Sequence, residues 1–490
     1  MTNDKLLAPA TAWSEMIYSQ VWKRAGLGTV DVTEKASGAK LGTIGVASVA
    51  DVTAAAEIAQ KAQKVWAKVP GPARGDVLRE AARLVLLHAE EIAEQLVRET
   101  GSIRAKAQWE VQITAREFLE AAALGSQHQG LLTATLEPGF QSVARRVPMG
   151  VIGIITPWNS PFILGVRAIA PALAAGNAVI LKPDVQSAIV GGVVFARLLE
   201  KAGLPQGLFH VLPGAAETGA ALVKERLVDM VSFTGSTRVG REVGSVASGL
   251  LKRVSLELGG NNPFIVLEDV EVEAAASAGA WGSFFHQGQI CLTTGRHLVH
   301  ESIADAYAAA LARKAKALIV GNPVDVNVQV GPIVNERQAA NVDRIVAETL
   351  AKGAHLQAGG RRNGLFFEPT VITGVKPGMA AFDEEIFGPV AAITTFRSDE
   401  EAIAIANDTD YGLSAAVACA DLARAQQIAD RLHSGVIHIN DQTVVHGVYG
   451  PIGGVGSSGN GFGHGTVTNL DQFTEWQWVT THTQLPNYPF

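Results

Sequence analysis

VIGIITPWNSPFILGVRAIAPALAAGNAVILKP, residues 151–183, decides the fold. It opens on a short apolar run, breaks at a proline turn, continues with a helical pattern over 161–174 and closes on a second apolar run, NAVILKP at 177–183. The same rhythm goes on: a helix over roughly 188–202, then LFHVLPG at 208–214, another helix, and MVSFTGS at 230–236. Short apolar strands alternating with helices of this length predict a parallel sheet of βαβ units. Each strand ends in Pro, Gly, Ser or Thr, so the polar residues gather at the carboxyl edge, where open α/β sheets bind ligands.

Upstream, residues 1–45 read as an irregular arm with short strands, and 49–88 turn helical, with Val65, Trp66, Val77, Leu78, Ala81 and Leu84 at helical spacings. Helical character runs on to about Leu124, and 125–146 breaks into short alternating segments that predict a hairpin. Downstream, a second α/β unit begins after Leu258-Gly259-Gly260, with helices over 301–317 and 399–407 and strands at PTVITGV and SGVIHIN. The glycine-rich loop at 451–465 reads as a flexible wall of a site, and FTEWQWVTTHTQL reads as a strand partner for the 125–146 arm.

Length, at 490 residues, allows about three domains. The net charge of −7 and the lack of a basic block exclude a nucleic-acid partner. Two distant cysteines make no disulfide framework and predict a reducing compartment. The first sixteen residues show no export signal, and no window approaches the run of about 20 apolar residues that a membrane helix needs. A cytoplasmic protein with no membrane partner is the expectation.

Of the two cysteines, Cys419 lies in the apolar run LSAAVACA and reads as core. Cys291, in FFHQGQICLTTGR at 284–296, is surrounded by small and polar residues. That window fits an accessible nucleophile and equally a buried structural thiol. Glu257 stands at the end of an apolar run beside two glycines, and Asn159 follows the strand end TPW. A thiol, a carboxylate base and an amide donor form the set needed for acyl chemistry through a thioester. Gly235-Ser236-Thr237 joins a strand to a helix and could meet an anion, or serve as a plain N-cap turn. Lys182 could meet a ribose or a phosphate, or simply face solvent. His286, His297 and His300 fit no metal spacing and read as structural.

TPWNSP, LKPD, FTGSTRVG, LELGGNN, GQIC, EIFGPV and the glycine-rich loop occur in the order and spacing of the aldehyde dehydrogenase superfamily, which the chain resembles over nearly its whole length. WGSFFHQGQIC, GRHLVH, IHIND and the terminal NYPF resemble most its bacterial benzaldehyde and other aromatic aldehyde branch. The resemblance implies an α/β fold: a Rossmann-type cofactor domain over 1–125 and 147–258, an α/β catalytic domain over 259–465, and a small β oligomerisation arm from 126–146 and 466–490. It implies oxidation of an aromatic aldehyde with NAD or NADP, through a Cys291 thiohemiacetal and thioester. Asn159 and the Cys291 N–H would hold the oxyanion, and Glu257 would activate water. Glu385 would hold the nicotinamide ribose, with Phe387 against it. Ser236 would meet the pyrophosphate, Lys182 the adenosine ribose, and Trp158 would line the cleft. Thr156, Gly214, Gly219, Phe233, Gly235 and Leu258 would complete the cofactor site. Leu164, Phe285, Ile290, Leu292 and the loop 444–452, with Ile452, would line the substrate pocket. A homodimer or homotetramer follows by the same resemblance.

Two positions depart from the family pattern. Val185 replaces the glutamate that many members use on the adenosine ribose, so the expectation is that NADP is accepted as well as NAD. Ala168 replaces a lysine implicated in proton relay, with Arg167 beside it. A coenzyme A-acylating relative usually lacks the base that Glu257 supplies here. Aliphatic or semialdehyde substrates, and a silent structural homologue, are the other readings.

Overall fold

The computed structural model describes residues 5–490 apart from 137, 326, 327, 446 and 462. Two seven-stranded sheets carry the chain. In the first, five parallel strands lie in the spatial order Arg253–Glu257, Met230–Thr234, Val151–Ile155, Ala178–Lys182 and Phe209–Val211. Met16–Ser19 and Val21–Arg24 extend this sheet antiparallel, so part of the expected N-terminal arm is an edge of the main sheet. Every residue of Val151–Ile155 and Ala178–Lys182 is buried, as a parallel sheet covered by helices on both faces requires.

The strand order reverses beside Val151–Ile155, whose neighbours are the next strand of this sheet in sequence on one side and Met230–Thr234, reached only after the chain has returned, on the other. Ligands settle outside the carboxyl ends at such a switch point. The helical region of 49–88 divides into Val49–Trp66 and Gly71–Leu87, because Pro70 cannot continue the first helix and pre-sets the start of the second. The helix expected over 188–202 starts as one π turn, Ile189–Val193, and becomes α over Val194–Lys201.

The second sheet runs His355–Ala358, Thr370–Thr373, Val390–Phe396, Thr294–His300, Asn262–Val266, Ser414–Ala418 and Val436–Ile439, parallel except for its first pair. Asn262 and Thr294 open neighbouring strands in register, so this sheet presents its amino edge where the first presents its carboxyl edge. Thr474–His482 pairs antiparallel with Phe140–Pro148, which also pairs with Gly130–Leu132, making a separate three-stranded ribbon. Residue 137 of that arm lies outside the described residues.

The glycine-rich loop is not the slack segment its composition suggests. The Leu258 N–H donates to Ser458 O at 2.9 Å, Thr237 Oγ1 to Ser457 O at 2.9 Å, and the Gly412 N–H to Ser458 Oγ at 3.0 Å. Ile452 and His464 exchange two backbone hydrogen bonds across it. Its glycines permit close backbone approach: a Cβ on Gly454 would stand 2.5 Å from Ser458 O. Residue 462 of the loop lies outside the described residues.

Candidate active site

Asn159 sits in the turn after strand Val151–Ile155, immediately ahead of helix Pro161–Ala174, whose proline occupies the first turn where no N–H is needed. Asn159 is buried, and its Nδ2 donates to Gln289 O at 2.8 Å. Gln289 lies two residues before Cys291, so the amide and the thiol share one segment.

Cys291 follows a tight turn in which His286 and Gln287 hold φ of 51° and 58° and Gly288 holds 65°. A Cβ on Gly288 would lie 2.1 Å from Gly388 O, so only glycine fits. Gln289 Oε1 accepts the Val334 N–H at 2.9 Å and Thr293 Oγ1 donates to Gly288 O at 3.1 Å, which fixes the turn on both sides of the thiol.

Glu257 ends strand Arg253–Glu257 beside Thr234, and its backbone carbonyl accepts the Gly235 N–H at 3.0 Å. Its Oε1 is buried and finds no hydrogen-bond partner among the described residues. Cys291 and Glu257 line one enclosed cavity of about 20 Å³, with Leu164, Leu292, Ile452 and Arg167 among its walls. That volume holds about one water. Cys291 and Leu164 also line a second cleft of about 300 Å³, where Asn159, Trp158, Glu385 and Phe387 stand. The sulfur therefore sits where two spaces meet.

The larger cleft presents groups suited to the nicotinamide and pyrophosphate portion of a dinucleotide. Ser236 is the N-cap of helix Thr237–Gly249, yet its hydroxyl caps no helix N–H, leaving hydroxyl and amides for an anion. Gly235, Ser236 and Leu258 are walls of this cleft. Glu385 Oε1 accepts the Gly260 N–H at 2.9 Å, and Trp158 meets Phe387 edge-on with centroids 5.5 Å apart. Thr156 Oγ1 is buried without a partner among the described residues, an orphan at the carboxyl edge. Lys182, Gly214, Gly219 and Phe233 are not among the walls of this cleft. Lys182 is nearly buried, and a Cβ on Gly219 would meet its Cδ at 4.0 Å. Val185 instead lines a separate groove with residues of the hairpin Thr29–Thr33 and Lys40–Gly45 region and with Asn363 and Phe366.

Two expected pocket residues lie elsewhere. Phe285 stacks on Trp281 with centroids 4.4 Å apart and meets Trp109 edge-on, and neither it nor Ile290 lines either cavity. In the expected wall 444–452, residue 446 lies outside the described residues. Three residues that sequence reading missed, Arg337, Gln338 and Asn341, line the cleft from helix Glu336–Ala351. Gln338 Nε2 donates to Ile386 O at 3.2 Å and Phe387 O at 3.1 Å, holding the Glu385 loop in place.

Burial sets the protonation states. It pushes the Cys291 thiol up to about 12, helped by the Glu385 and Glu257 carboxylates and opposed by Arg167. Burial likewise raises Glu257 to about 8, with the Arg167 guanidinium pulling it back, and Glu385 to about 7 against the Gly260 N–H. The resting thiol is therefore protonated and needs a base. Arg167 itself lies 3.8 Å from Glu117, and Ala168 beside it is buried in the helix. Cys419 is buried, its thiol donating to Asp269 Oδ2 at 3.4 Å. Among the described residues no group of three or more His, Cys, Asp or Glu is placed to hold a metal.

Residues 22–479 match the profile described as Aldehyde dehydrogenase family. The chain is 48% identical over 480 residues to a vanillin dehydrogenase of Amycolatopsis sp., covering 98% of each. It is 45% identical over 478 residues to a benzaldehyde dehydrogenase [NAD(+)] of Pseudomonas putida, again covering 98% of each. Among solved structures it resembles betaine aldehyde dehydrogenase of Staphylococcus aureus in complex with NAD+, with a TM-score of 0.95 at 30% identity, covering 100% of this chain and 98% of that one. An E. coli NADP dependent enzyme gives a TM-score of 0.93 at 31% identity, covering 97% of this chain and 99% of that one. A thiol, a carboxylate and an amide gathered at a dinucleotide cleft thus agree with the match along the whole sequence: the chain belongs to the aldehyde dehydrogenase family.

Proposed function

We propose that the chain oxidises a small aromatic aldehyde to its carboxylic acid, with NAD+ or NADP+ as oxidant. The observation that carries this reading is the meeting of the two cavities at Cys291, with Glu257 on one side and Asn159 and Glu385 on the other. Residues 1–125 and 147–258 hold the cofactor, and 259–465 supply the nucleophile.

Glu257 takes the thiol proton as Cys291 Sγ bonds to the aldehyde carbon and the carbonyl oxygen gains charge. Asn159 Nδ2 carries two N–H groups, of which Gln289 O uses one, so the other and the Cys291 N–H can hold that oxygen. Losing one such donor costs about a hundredfold in rate. Trp158, Phe387 and Glu385 would hold the oxidised nicotinamide, which would supply the hydride acceptor needed to take the Cys291 adduct to a thioester. Once Glu257 has lost the thiol proton to solvent, it removes a proton from water as the water attacks that thioester, and this proton passes to the departing sulfur, freeing the acid and restoring the thiol.

Leu164, Leu292, Leu413 and Ile452 put apolar side chains beside the thiol, which favours an apolar aldehyde over one with a charged tail, while the cavity of about 20 Å³ they line holds a water and not the ring. The vanillin and benzaldehyde dehydrogenases among the relatives favour the same class. Val185 leaves no carboxylate at its position to repel a 2′-phosphate. Leu131, Trp476 and Trp478 are exposed on one face of the three-stranded ribbon and supply an apolar face for a homodimer or homotetramer. Two free thiols favour the cytoplasm.

The test is reduction of each cofactor, followed by absorbance, with benzaldehyde, vanillin, hexanal and succinic semialdehyde, and analysis of the product for free acid. Turnover confined to hexanal or the semialdehyde would reject the aromatic assignment. An NAD preference in kcat/KM above about a thousandfold, roughly 4 kcal/mol, would reject dual cofactor use.

A further inference from the structure

The backbone of Asn159 is anchored as firmly as its side chain. Its main-chain carbonyl lies 2.8 Å from His286 Nε2 and 3.1 Å from Lys106 Nζ. A carbonyl only accepts, so the imidazole proton sits on Nε2, and Nδ1 faces Ser102 Oγ at 3.4 Å. His286, Lys106 and Glu110 are completely buried. Lys106 is ion-paired with Glu110, whose other oxygen accepts the Phe162 and Ile163 N–H groups at 3.0 and 3.2 Å. Those amides open the helix that follows Asn159, so one buried pair grips the turn from both ends.

His286 belongs to the turn that leads into Cys291, five residues ahead of the thiol. It adopts a left-handed φ of 51°, and Gln287 after it one of 58°. Non-glycine residues hold that conformation at a cost, and such outliers gather at functional sites. In that conformation the imidazole, on the turn that ends helix Val272–Phe284, meets the peptide of Asn159. A histidine serving only to fill the core would not need that backbone.

We propose that His286, backed by the Lys106–Glu110 pair, is a positioning residue that sets the Asn159 amide relative to the Cys291 sulfur. It ties the segment bearing the nucleophile directly to the residue bearing the oxyanion donor. The inference rests on the reading of Asn159 as that donor. Removing the imidazole leaves the Asn159 carbonyl to Lys106 alone and frees the amide to drift, and a misplacement of about 1 Å can cost about a hundredfold.

The experiment compares full-length His286→Leu, His286→Gln and Asn159→Ala in three assays. These are aldehyde oxidation, cofactor-free hydrolysis of p-nitrophenyl acetate, and alkylation of Cys291 by iodoacetamide. The first two build charge on a carbonyl oxygen and the third does not. His286→Leu is expected to slow both turnovers together by about tenfold or more in kcat, with the alkylation rate unchanged. His286→Gln, whose amide can donate from nearly the same point as Nε2, restores most of the loss. If His286→Leu does not fold, His286→Asn, with a polar head too short to reach, takes its place in the comparison with His286→Gln. Unchanged turnover, or alkylation falling in step with turnover, overturns the proposal, since His286 would then only shape the cysteine turn. Full activity in Asn159→Ala instead strikes the assignment of Asn159 itself.

Discussion

Asn262 holds the carbonyl of Cys291: its Nδ2 donates to that oxygen at 2.8 Å and to Thr293 O at 2.7 Å. Its Oδ1 accepts the Ser414 N–H at 2.9 Å, so one buried amide joins the cysteine turn to two strands of the second sheet. Leaving such groups unpaired costs about 1–3 kcal/mol each. Asn262→Ala is expected to lower the melting temperature and to reduce kcat. Gly260→Ala should leave the melting temperature closer to that of the parent while inactivating the enzyme, because its Cβ would stand 2.5 Å from the same Cys291 oxygen. Parallel melts and steady-state assays check both, and full activity in Gly260→Ala would count against this account of the turn.

The base should titrate late. Glu257 acts only when ionised, and burial raises it to about 8, so thioester hydrolysis is expected to climb with pH through that region. Arg167→Met removes the opposing charge and should move the rising limb to higher pH, whereas Arg167→Lys should leave it close to its original place. The same raised value works against folding. The unfolded chain releases this proton near 4.5 and the folded one near 8, so stability falls as pH rises across that window. A pH–rate profile of ester hydrolysis for the three proteins decides the first point. Coincident limbs in Arg167→Met and the parent would refute it.

Gln338 lines the cofactor cleft and also holds the backbone of Ile386 and Phe387. Gln338→Ala should therefore loosen the Glu385 loop and raise KM for the cofactor by about tenfold, the equivalent of about 1.4 kcal/mol, with a smaller effect on KM for the aldehyde. Fluorescence titration with the cofactor and initial rates at fixed aldehyde measure the split. Equal effects on both substrates would mean a general collapse of the site.

Trp476 and Trp478 stand on the strand Thr474–His482, 52% and 71% exposed. A double Trp476→Glu, Trp478→Glu variant should appear as monomers in light scattering while keeping its secondary structure. An unchanged mass would remove the ribbon from the assembly interface.

Much of the scaffold was legible because parallel strands announce themselves as continuous apolar runs, and each run at 151–155, 178–182, 209–211 and 230–234 became a strand. Glu257 and Asn159 stood out because each ends or follows such a run beside glycine or proline, and Cys291 because small and polar residues surround it. Gln338 did not, since helix Glu336–Ala351 is an ordinary amphipathic helix in sequence and meets the cleft only after the second sheet closes. Lys106 and Glu110 look like a solvent-exposed pair one helical turn apart, and nothing local reveals that both are buried. The glycine-rich loop misled in the other direction: its glycines make room for backbone contacts, not slack.

The facing of a carboxyl edge by an amino edge has a consequence for any attempt to divide the molecule. Glu257 travels with the first sheet and Cys291 with the second, and only Leu258, Gly259, Gly260 and Asn261 separate the strand ending at Glu257 from the strand opening at Asn262. A chain cut at that seam would own a proton acceptor with no sulfur to relieve, or a sulfur with nothing to relieve it. Reactivity here belongs to the junction and to neither half.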